Sequence, residues 1–209
     1  MAARLQVKFS LLLGTGVLWG FILIGCQPSG PSKAPPPTEA PSSGASQPYS
    51  ELRTLMDSLT IAKQRTILAK VLSVAEKEGW AGAVQYCNLV ADTLTTYRDA
   101  RISLQRVALR YRKPKNALAD SLDKAAYNHF LQTRSQESLI WTAGEGEVRY
   151  YRPIYVAMSQ CLKCHGAPAD LDGPALAKIR KLYPGDKATG FAQGDLRGLW
   201  KATLRTPIP

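Results

Sequence analysis

The chain has 209 residues, with 27 lysines and arginines against 16 aspartates and glutamates, and a formal net charge of +11. This length supports one sizeable hydrophobic core and leaves little room for a second. The positive charge suits anionic lipid headgroups or an acidic protein partner. No run of basic residues interleaved with aromatic ones indicates a nucleic-acid interface, so no nucleic-acid partner is expected.

The N-terminus has the pattern of an export signal. Two basic residues precede an apolar run at 9–24, and small residues lead into Cys26. Small residues before a cysteine are typical of a lipoprotein cleavage site, so residues 1–25 are predicted to be a lipoprotein signal peptide and Cys26 the acylated first residue of the mature chain. The alternative is an uncleaved membrane anchor, since the run is near the lower length limit for a spanning helix. Both interpretations predict an extracytoplasmic, periplasmic-side protein held at the membrane.

Residues 26–49 are rich in proline, serine, glycine and alanine and have no apolar pattern. Such a composition cannot bury enough surface to fold. We therefore expect a disordered Pro/Ser-rich tether that holds a folded domain, residues 50–209, away from the membrane surface.

The elements of that domain are predicted from hydrophobic periodicity. A long helix is expected from Ser50 to Gly79 and a second from Trp80 to Leu94, with Cys87 on the apolar stripe of the second. Later patterns predict a strand at 106–112, a helix at 117–132 that begins after Asp120 in one reading, a hairpin at 139–142 and 148–156, a helix at 174–183 and a strand at 199–206. This order predicts an α+β fold, an antiparallel sheet with helices on one side.

A C-x-x-C-H motif occupies Cys161-Leu162-Lys163-Cys164-His165. This motif is the attachment signature of c-type haem, in which both thiols add to the vinyl groups and the histidine becomes the proximal iron ligand. We therefore expect one covalent haem c on Cys161, Cys164 and His165. The alternatives are a dithiol redox pair and half of a zinc site, for which only Cys87 and His129 remain as further ligands.

Four side chains are candidates for the sixth iron position. Met158 is too close to Cys161 in sequence to reach the opposite haem face easily, and Met56 is explained as a core residue. His129 is a single histidine in a predicted amphipathic helix. Cys87 faces inward and has no evident disulfide partner, but a free cysteine is often only a small buried hydrophobe. The periodicity leaves ligation by Cys87 open.

Several segments together are similar to a known family. The segments are Tyr151-Arg-Pro-Ile, Cys161-Leu-Lys-Cys-His-Gly166, Tyr183-Pro184, Asp186, Ala188, Gly190-Phe191, Gly194-Asp195, Arg197-Gly198, Ala83-Val84-Gln-Tyr-Cys87, and Arg112-Lys113-Pro114-Lys115-Asn116 with lysine at the second position in place of the usual asparagine. They resemble the family of c-type haem domains with a PAS-like fold and mixed cysteine/histidine axial ligation, found alone or fused to sensor kinases.

The resemblance implies a PAS-like sheet, iron ligation by His165 and Cys87, and sensing of redox state or of a diatomic gas. The chain has no kinase, cyclase or methyl-accepting segment, so a signal would pass to a separate partner protein. The alternative is an electron-transfer cytochrome at the membrane surface. An enzyme such as a peroxidase is not expected. Cys87 would fill the iron position that catalysis needs open, and beyond His165 only one histidine remains for acid–base chemistry.

Three arginines are candidates for pairing with the haem propionates, because guanidinium groups favour bidentate contacts with carboxylates. They are Arg112, Arg149 and Arg152. The alternative is that they are solvent-facing strand residues.

Overall fold

The structure is a computed structural model that describes residues 46–144 and 146–205. The predicted signal peptide at 1–25, Cys26 and nearly all of the tether lie outside the described residues. Within the described ranges, none of the helices combines the length and hydrophobicity needed to cross a membrane.

The first helix, α1 (Ser46–Leu89), reverses direction at Gly79, which has φ 72° and ψ 175°. A continuous helix would hold Lys63 and Leu94 about 46 Å apart. Instead, Lys63 Nζ donates a hydrogen bond to the Leu94 carbonyl at 3.1 Å, so the chain folds back between them. We call residues 46–78 the first arm and residues 80–89 the second arm. The predicted helix boundary at Gly79 is confirmed.

The second arm ends earlier than predicted. It stops at Leu89, and after Val90 a short helix, α2 (Ala91–Thr95), completes the predicted segment. The packing of α2 beside the first arm explains the Lys63 contact.

Five antiparallel strands form one sheet in the order β1-β2-β5-β4-β3. The last strand lies at the centre, between the β1–β2 pair and the β3–β4 hairpin. The strands are β1 (Tyr97–Arg98), β2 (Ile102–Val107), β3 (Leu139–Thr142), β4 (Glu147–Tyr155) and β5 (Leu196–Arg205). The predicted α+β class, a PAS-like antiparallel sheet with flanking helices and a long N-terminal helix, is confirmed.

The strand predicted at 106–112 is misplaced. Strand β2 ends at Val107, and Leu109 is 54% exposed. The chain leaves the sheet at Ala108, whose N–H donates to the Asn116 carbonyl at 2.8 Å. A 3₁₀ helix (Pro114–Asn116) follows. The alternating apolar residues that predicted a strand therefore lie mostly in a loop, and the two-residue strand β1 was not predicted.

Three further helices complete the domain. Helix α3 (Ser121–Thr133) begins after Asp120, whose carboxylate accepts from the Asp123 N–H at 2.9 Å, so the later of the two predicted starts is correct. Helix α4 (Ser159–His165) carries the C-x-x-C-H motif and was not predicted as a helix. Helix α5 (Gly173–Leu182) agrees with the predicted helix at 174–183.

Helices cover both faces of the sheet, so the expectation of helices on one side is wrong. Met56 of the first arm packs with Tyr150 and Trp200 on one face. Residues Phe130 of α3 and Leu199 of β5 pack on the other. Four consecutive residues of β5 are buried: Leu199, Trp200, Lys201 and Ala202. Burial at successive positions is the pattern of a strand that is covered on both faces.

Candidate functional site

A cavity of about 230 Å³ lies beneath α1 and is bounded by both of its arms, by β2 and by α4. All four predicted cofactor-binding residues line it: Cys87, Cys161, Cys164 and His165. Its apolar wall comes mainly from the two arms of α1 and includes Ile67, Leu68, Val71, Leu72, Trp80 and Val84. The fold therefore brings the motif and the distant cysteine to one cavity.

Helical spacing turns Cys87 toward this cavity. Trp80, Val84, Cys87 and Ala91 all line it, and steps of three and four residues lie on one face of a helix. Val84 also packs against α5, which fixes the second arm from the other side. Burial raises the pKa of the Cys87 thiol, although Arg106 and other nearby cations act in the opposite direction.

Helix α4 presents the motif. Cys161 and Cys164 are three residues apart, so their thiols lie on one side of the helix. The three described cysteines are free thiols. Burial raises the pKa of Cys164 to about 11, which keeps this thiol protonated at neutral pH.

His165 follows at the end of α4, with its orientation fixed by a backbone hydrogen bond. Its Nδ1 lies 2.7 Å from the Ala188 carbonyl oxygen. Because a carbonyl only accepts, the ring proton is assigned to Nδ1, and Nε2 keeps its lone pair for a metal. Burial, followed by the charges of Arg197 and Arg112, holds the pKa of His165 well below its ordinary value. The imidazole is therefore neutral, which is the form that ligates metals.

The carbonyl that orients His165 is itself held in place. Asp186 accepts from the Ala188 N–H at 3.0 Å and from Arg112 at 3.0 and 3.2 Å. Arg112 also donates to the Cys164 carbonyl at 2.7 Å. Phe191 lies edge-on to the imidazole, with the ring centroids 6.4 Å apart. The loop after α5, together with Arg112, thus holds the C-terminal end of α4 in place.

Two of the three arginines predicted to bind propionates lie elsewhere. Arg149 pairs with Asp120 at 2.6 Å and with Glu147 at 2.8 Å. Arg152 lies 3.9 Å from Asp57. Neither lines the cavity, so both are corrected to structural residues. Arg112 does line it, but its contacts with Asp186 make it a support for the motif.

Sequence reasoning missed two other arginines. Arg106 and Arg197 line the cavity, and the Nε atom of each is buried without a hydrogen-bond partner among the described residues. The only sequence signal was the Arg197-Gly198 match to the family motif. Arg106 is the first residue of the strand predicted at 106–112, and nothing in that pattern indicates a binding role.

The other candidates for the sixth iron position lie away from the cavity. Met56 is 1% exposed in the core under the first arm. His129 packs edge-on against Phe130 and Trp141, with ring centroids 5.4 and 6.4 Å apart. Met158 precedes α4 as its N-cap residue. Of the four candidates, only Cys87 shares the cavity with His165.

These features define an α+β domain in which a C-x-x-C-H helix and a separate cysteine face a common cavity. Residues 50–204 match the Tll0287-like family, so the chain belongs to that family. Among solved structures, the chain is similar to the crystal structure of the cyanobacterial heme-protein Tll0287. The two are 25% identical, the match covers 78% of this chain and 97% of that chain, and the TM-score is 0.53. No curated protein matches the chain.

Proposed function

We propose that this chain is a c-type haem-binding protein. Cys161 and Cys164 would attach one haem covalently, and His165 and Cys87 would ligate its iron. The observation that carries the proposal is the convergence of these four side chains on one cavity, with the Nε2 lone pair of His165 left available by its bond to Ala188. Membership of the Tll0287-like family and the likeness to a heme-protein support haem binding.

The residues around the cavity fit such a group chemically. Two thiols on one side of α4 would suit thioether attachment, and a neutral imidazole with a bonded Nδ1 would suit ligation of the iron through Nε2. The apolar wall from both arms of α1 suits the hydrophobic faces of a porphyrin. Cys87 of the second arm would supply a sulfur donor from another side chain that lines the same cavity.

The role that this arrangement supports best is sensing of redox state or of a diatomic gas. When bound, the haem would supply a one-electron redox centre and an iron able to take a small ligand; a thiolate ligand favours its ferric form. Burial raises the pKa of the Cys87 thiol, so a Cys87 thiolate that no longer held the iron would take up a proton from solvent.

The second arm is the element that such a release would move. Lys113 Nζ donates to the Asn88 carbonyl at 3.0 Å and to Asp92 at 2.7 Å, which fastens the end of the arm that carries Cys87. Ligand loss at Cys87 would leave this fastening, the packing of Val84 against α5 and the Gly79 reversal as restraints on the arm. A local chemical change that biases one element between two positions is a general basis for switching.

The signal would pass to a separate signalling or redox partner protein, for which the positive net charge favours an acidic surface.

We further propose that Cys26 carries lipid and holds the domain at the membrane on the extracytoplasmic side. Fatty-acid labelling that persists after Cys26→Ala substitution would contradict this anchor.

The alternative is an electron-transfer cytochrome at the membrane surface, favoured by the positive charge and by the Pro/Ser-rich segment at 26–49. A carrier would exchange electrons rapidly and keep the same iron ligands in both oxidation states. A sensor would change ligands on reduction or bind CO or NO. An enzymatic role is not proposed.

Electron paramagnetic resonance of the oxidised protein tests the proposed ligands. We expect a low-spin signal with thiolate-type g-values that is lost in Cys87→Ala. Met56→Leu is the control, because Met56 lies outside the cavity and its substitution conserves volume. A parent spectrum that is high-spin, or typical of two nitrogen ligands, would remove Cys87 from the iron.

A further inference from the structure

Arg106 and Arg197 are partly buried cations without an acidic partner among the described residues. Within the described ranges, neither guanidinium lies within salt-bridge distance of a carboxylate, and the Nε atom of each has no hydrogen-bond partner. A charge that is shielded from solvent and left unpaired destabilises a fold. Because both side chains line the same cavity, their position indicates that the cavity binds an anionic group.

A β-bulge directs Arg197 into the cavity. Gly198 pairs with Ile154 and Leu196 pairs with Tyr155, so Arg197 is the extra residue without a partner across the ladder. Leu196 packs in the core on the α3 side of the sheet, whereas Arg197 lines the cavity beneath α1. Bulges commonly re-aim one side chain next to a functional site.

Regular strand geometry directs Arg106 to the same place. It pairs with Trp200 of β5, and residues that pair directly across a sheet share a face. Trp200 belongs to the core that packs under the first arm. Arg106 therefore extends on the α1 side, toward the second arm and Cys87.

The carboxylates near the cavity are already engaged. Asp92 is bonded by Lys113 at 2.7 Å and Lys115 at 2.8 Å, and Asp186 is bonded by Arg112. Nη1 of Arg197 donates to the Arg110 carbonyl at 3.0 Å. That bond engages Nη1 and leaves Nε unpaired among the described residues. The edge that contains Nε is the one that binds carboxylates in a bidentate manner.

The electrostatics agree with this geometry. Burial and the neighbouring Arg112 and Arg106 lower the pKa of Arg197 to about 9, so it remains a cation at neutral pH. Burial also lowers the pKa of Arg106. Two cations held close together by the fold favour a ligand with two negative charges.

We propose that Arg106 and Arg197 bind the two propionate carboxylates of the haem. This assignment rests on the proposed function, because it requires the haem held by α4. Two planar guanidinium groups match two carboxylates in charge and in bidentate geometry. Arg106 and Arg197 then take the role for which the sequence offers Arg112, Arg149 and Arg152 as candidates.

Resonance Raman spectroscopy of the exported holoprotein tests the assignment, with Arg106→Gln and Arg197→Gln each compared with the parent. We expect the propionate bending bands to shift in both variants. We also expect a lower reduction potential, because removing a nearby cation favours the ferric form. Arg152→Gln is the matched control, since Arg152 also pairs with Trp200 but does not line the cavity. Arg106→Lys and Arg197→Lys keep the charge without the bidentate edge and should move the bands while largely preserving the potential.

Haem content by pyridine haemochrome, measured on the same samples, separates this assignment from the proposed function. A parent without haem contradicts both. A parent that contains haem, with propionate bands unmoved in all of these variants, contradicts the assignment alone. Titration with acetate and nitrite tests whether a free anion, instead of a propionate, binds at Arg106 and Arg197. Anion-dependent spectra in the parent that are lost in Arg106→Gln and Arg197→Gln, with propionate bands unmoved, would assign the site to a free anion and overturn the propionate assignment.

Discussion

The imidazole of His165 is held by a chain of contacts that begins at an ion pair. Arg112 and Asp186 are both nearly buried, with side-chain exposures of 12% and 8%. Asp186 fixes the Ala188 peptide through its N–H, and the carbonyl of that residue accepts the Nδ1 proton of His165. The ring orientation therefore depends on a carboxylate that does not touch the ring.

Substitution of Asp186 by asparagine should destabilise the domain. It leaves the buried guanidinium of Arg112 without a counter-charge, and breaking a buried pair in this way costs about 3 kcal/mol. The free energy of unfolding from urea titration measures the loss. Asp195→Asn is the control, because Asp195 bonds the Ala192 N–H in an exposed turn that asparagine also satisfies. Equal losses in the two variants would contradict the supporting role of Asp186.

At the residue scale, the sequence predicts which side chains face the cavity better than it predicts their hydrogen-bond partners. The spacing of Cys161, Cys164 and His165 and the inward direction of Cys87 follow from local rules, whereas the choice of Cys87 among four candidate iron ligands rested on the family resemblance. The partners of an arginine are not local. Arg112 bonds Asp186, 74 residues away, and the placement of Arg197 depends on a bulge that no local pattern announces.

The helical reversal at Gly79 brings together the two arms of α1 that line the cavity. It places the first arm and the second arm side by side, so the apolar residues of one and Cys87 of the other face the same space. The backbone at Gly79 has φ 72° and ψ 175°, a region that is essentially restricted to glycine. No atom lies within 4 Å of a Cβ built there, so this restriction is conformational and not steric.

Replacement of Gly79 by alanine should therefore cost about 1–3 kcal/mol of folding free energy through backbone strain. Differential scanning calorimetry or urea unfolding would measure it. Gly185→Ala provides a matched comparison, because that glycine also has open space around its Cβ position but no positive φ. We expect Gly185→Ala to change stability by less than about 1 kcal/mol. A Gly79→Ala variant as stable as the parent would mean that the arms reverse without this conformation.

At the element scale, helix ends with a glycine or a capping aspartate could be read from the sequence. The boundary at Gly79 and the start of α3 after Asp120 are examples. The end of β2 could not, because Leu109 and Tyr111 continue the alternation while the backbone has already left the sheet for Asn116. The helical form of α4 was hidden by its motif, which is defined by chemistry and not by periodicity.

The whole domain is a sheet with two covered faces, and the candidate site lies on one of them. The face under α3 contains a buried polar group, Asp123, bonded by Lys201 at 2.7 Å and by the Tyr151 hydroxyl at 2.7 Å. The face under α1 contains the cavity. The α+β class was predictable from the order of elements. The coverage of both faces was not, because it depends on where the helices return to the sheet.

The covalent attachment of haem at α4 is the central claim, and the intact mass of the exported protein under denaturing conditions tests it most directly. The parent and Cys87→Ala should each carry the added mass of one haem and give a c-type pyridine haemochrome band, because Cys87 is assigned to the iron and not to attachment. The double variant Cys161→Ser/Cys164→Ser should carry none. A parent that is exported, folded and free of added haem mass would contradict the account.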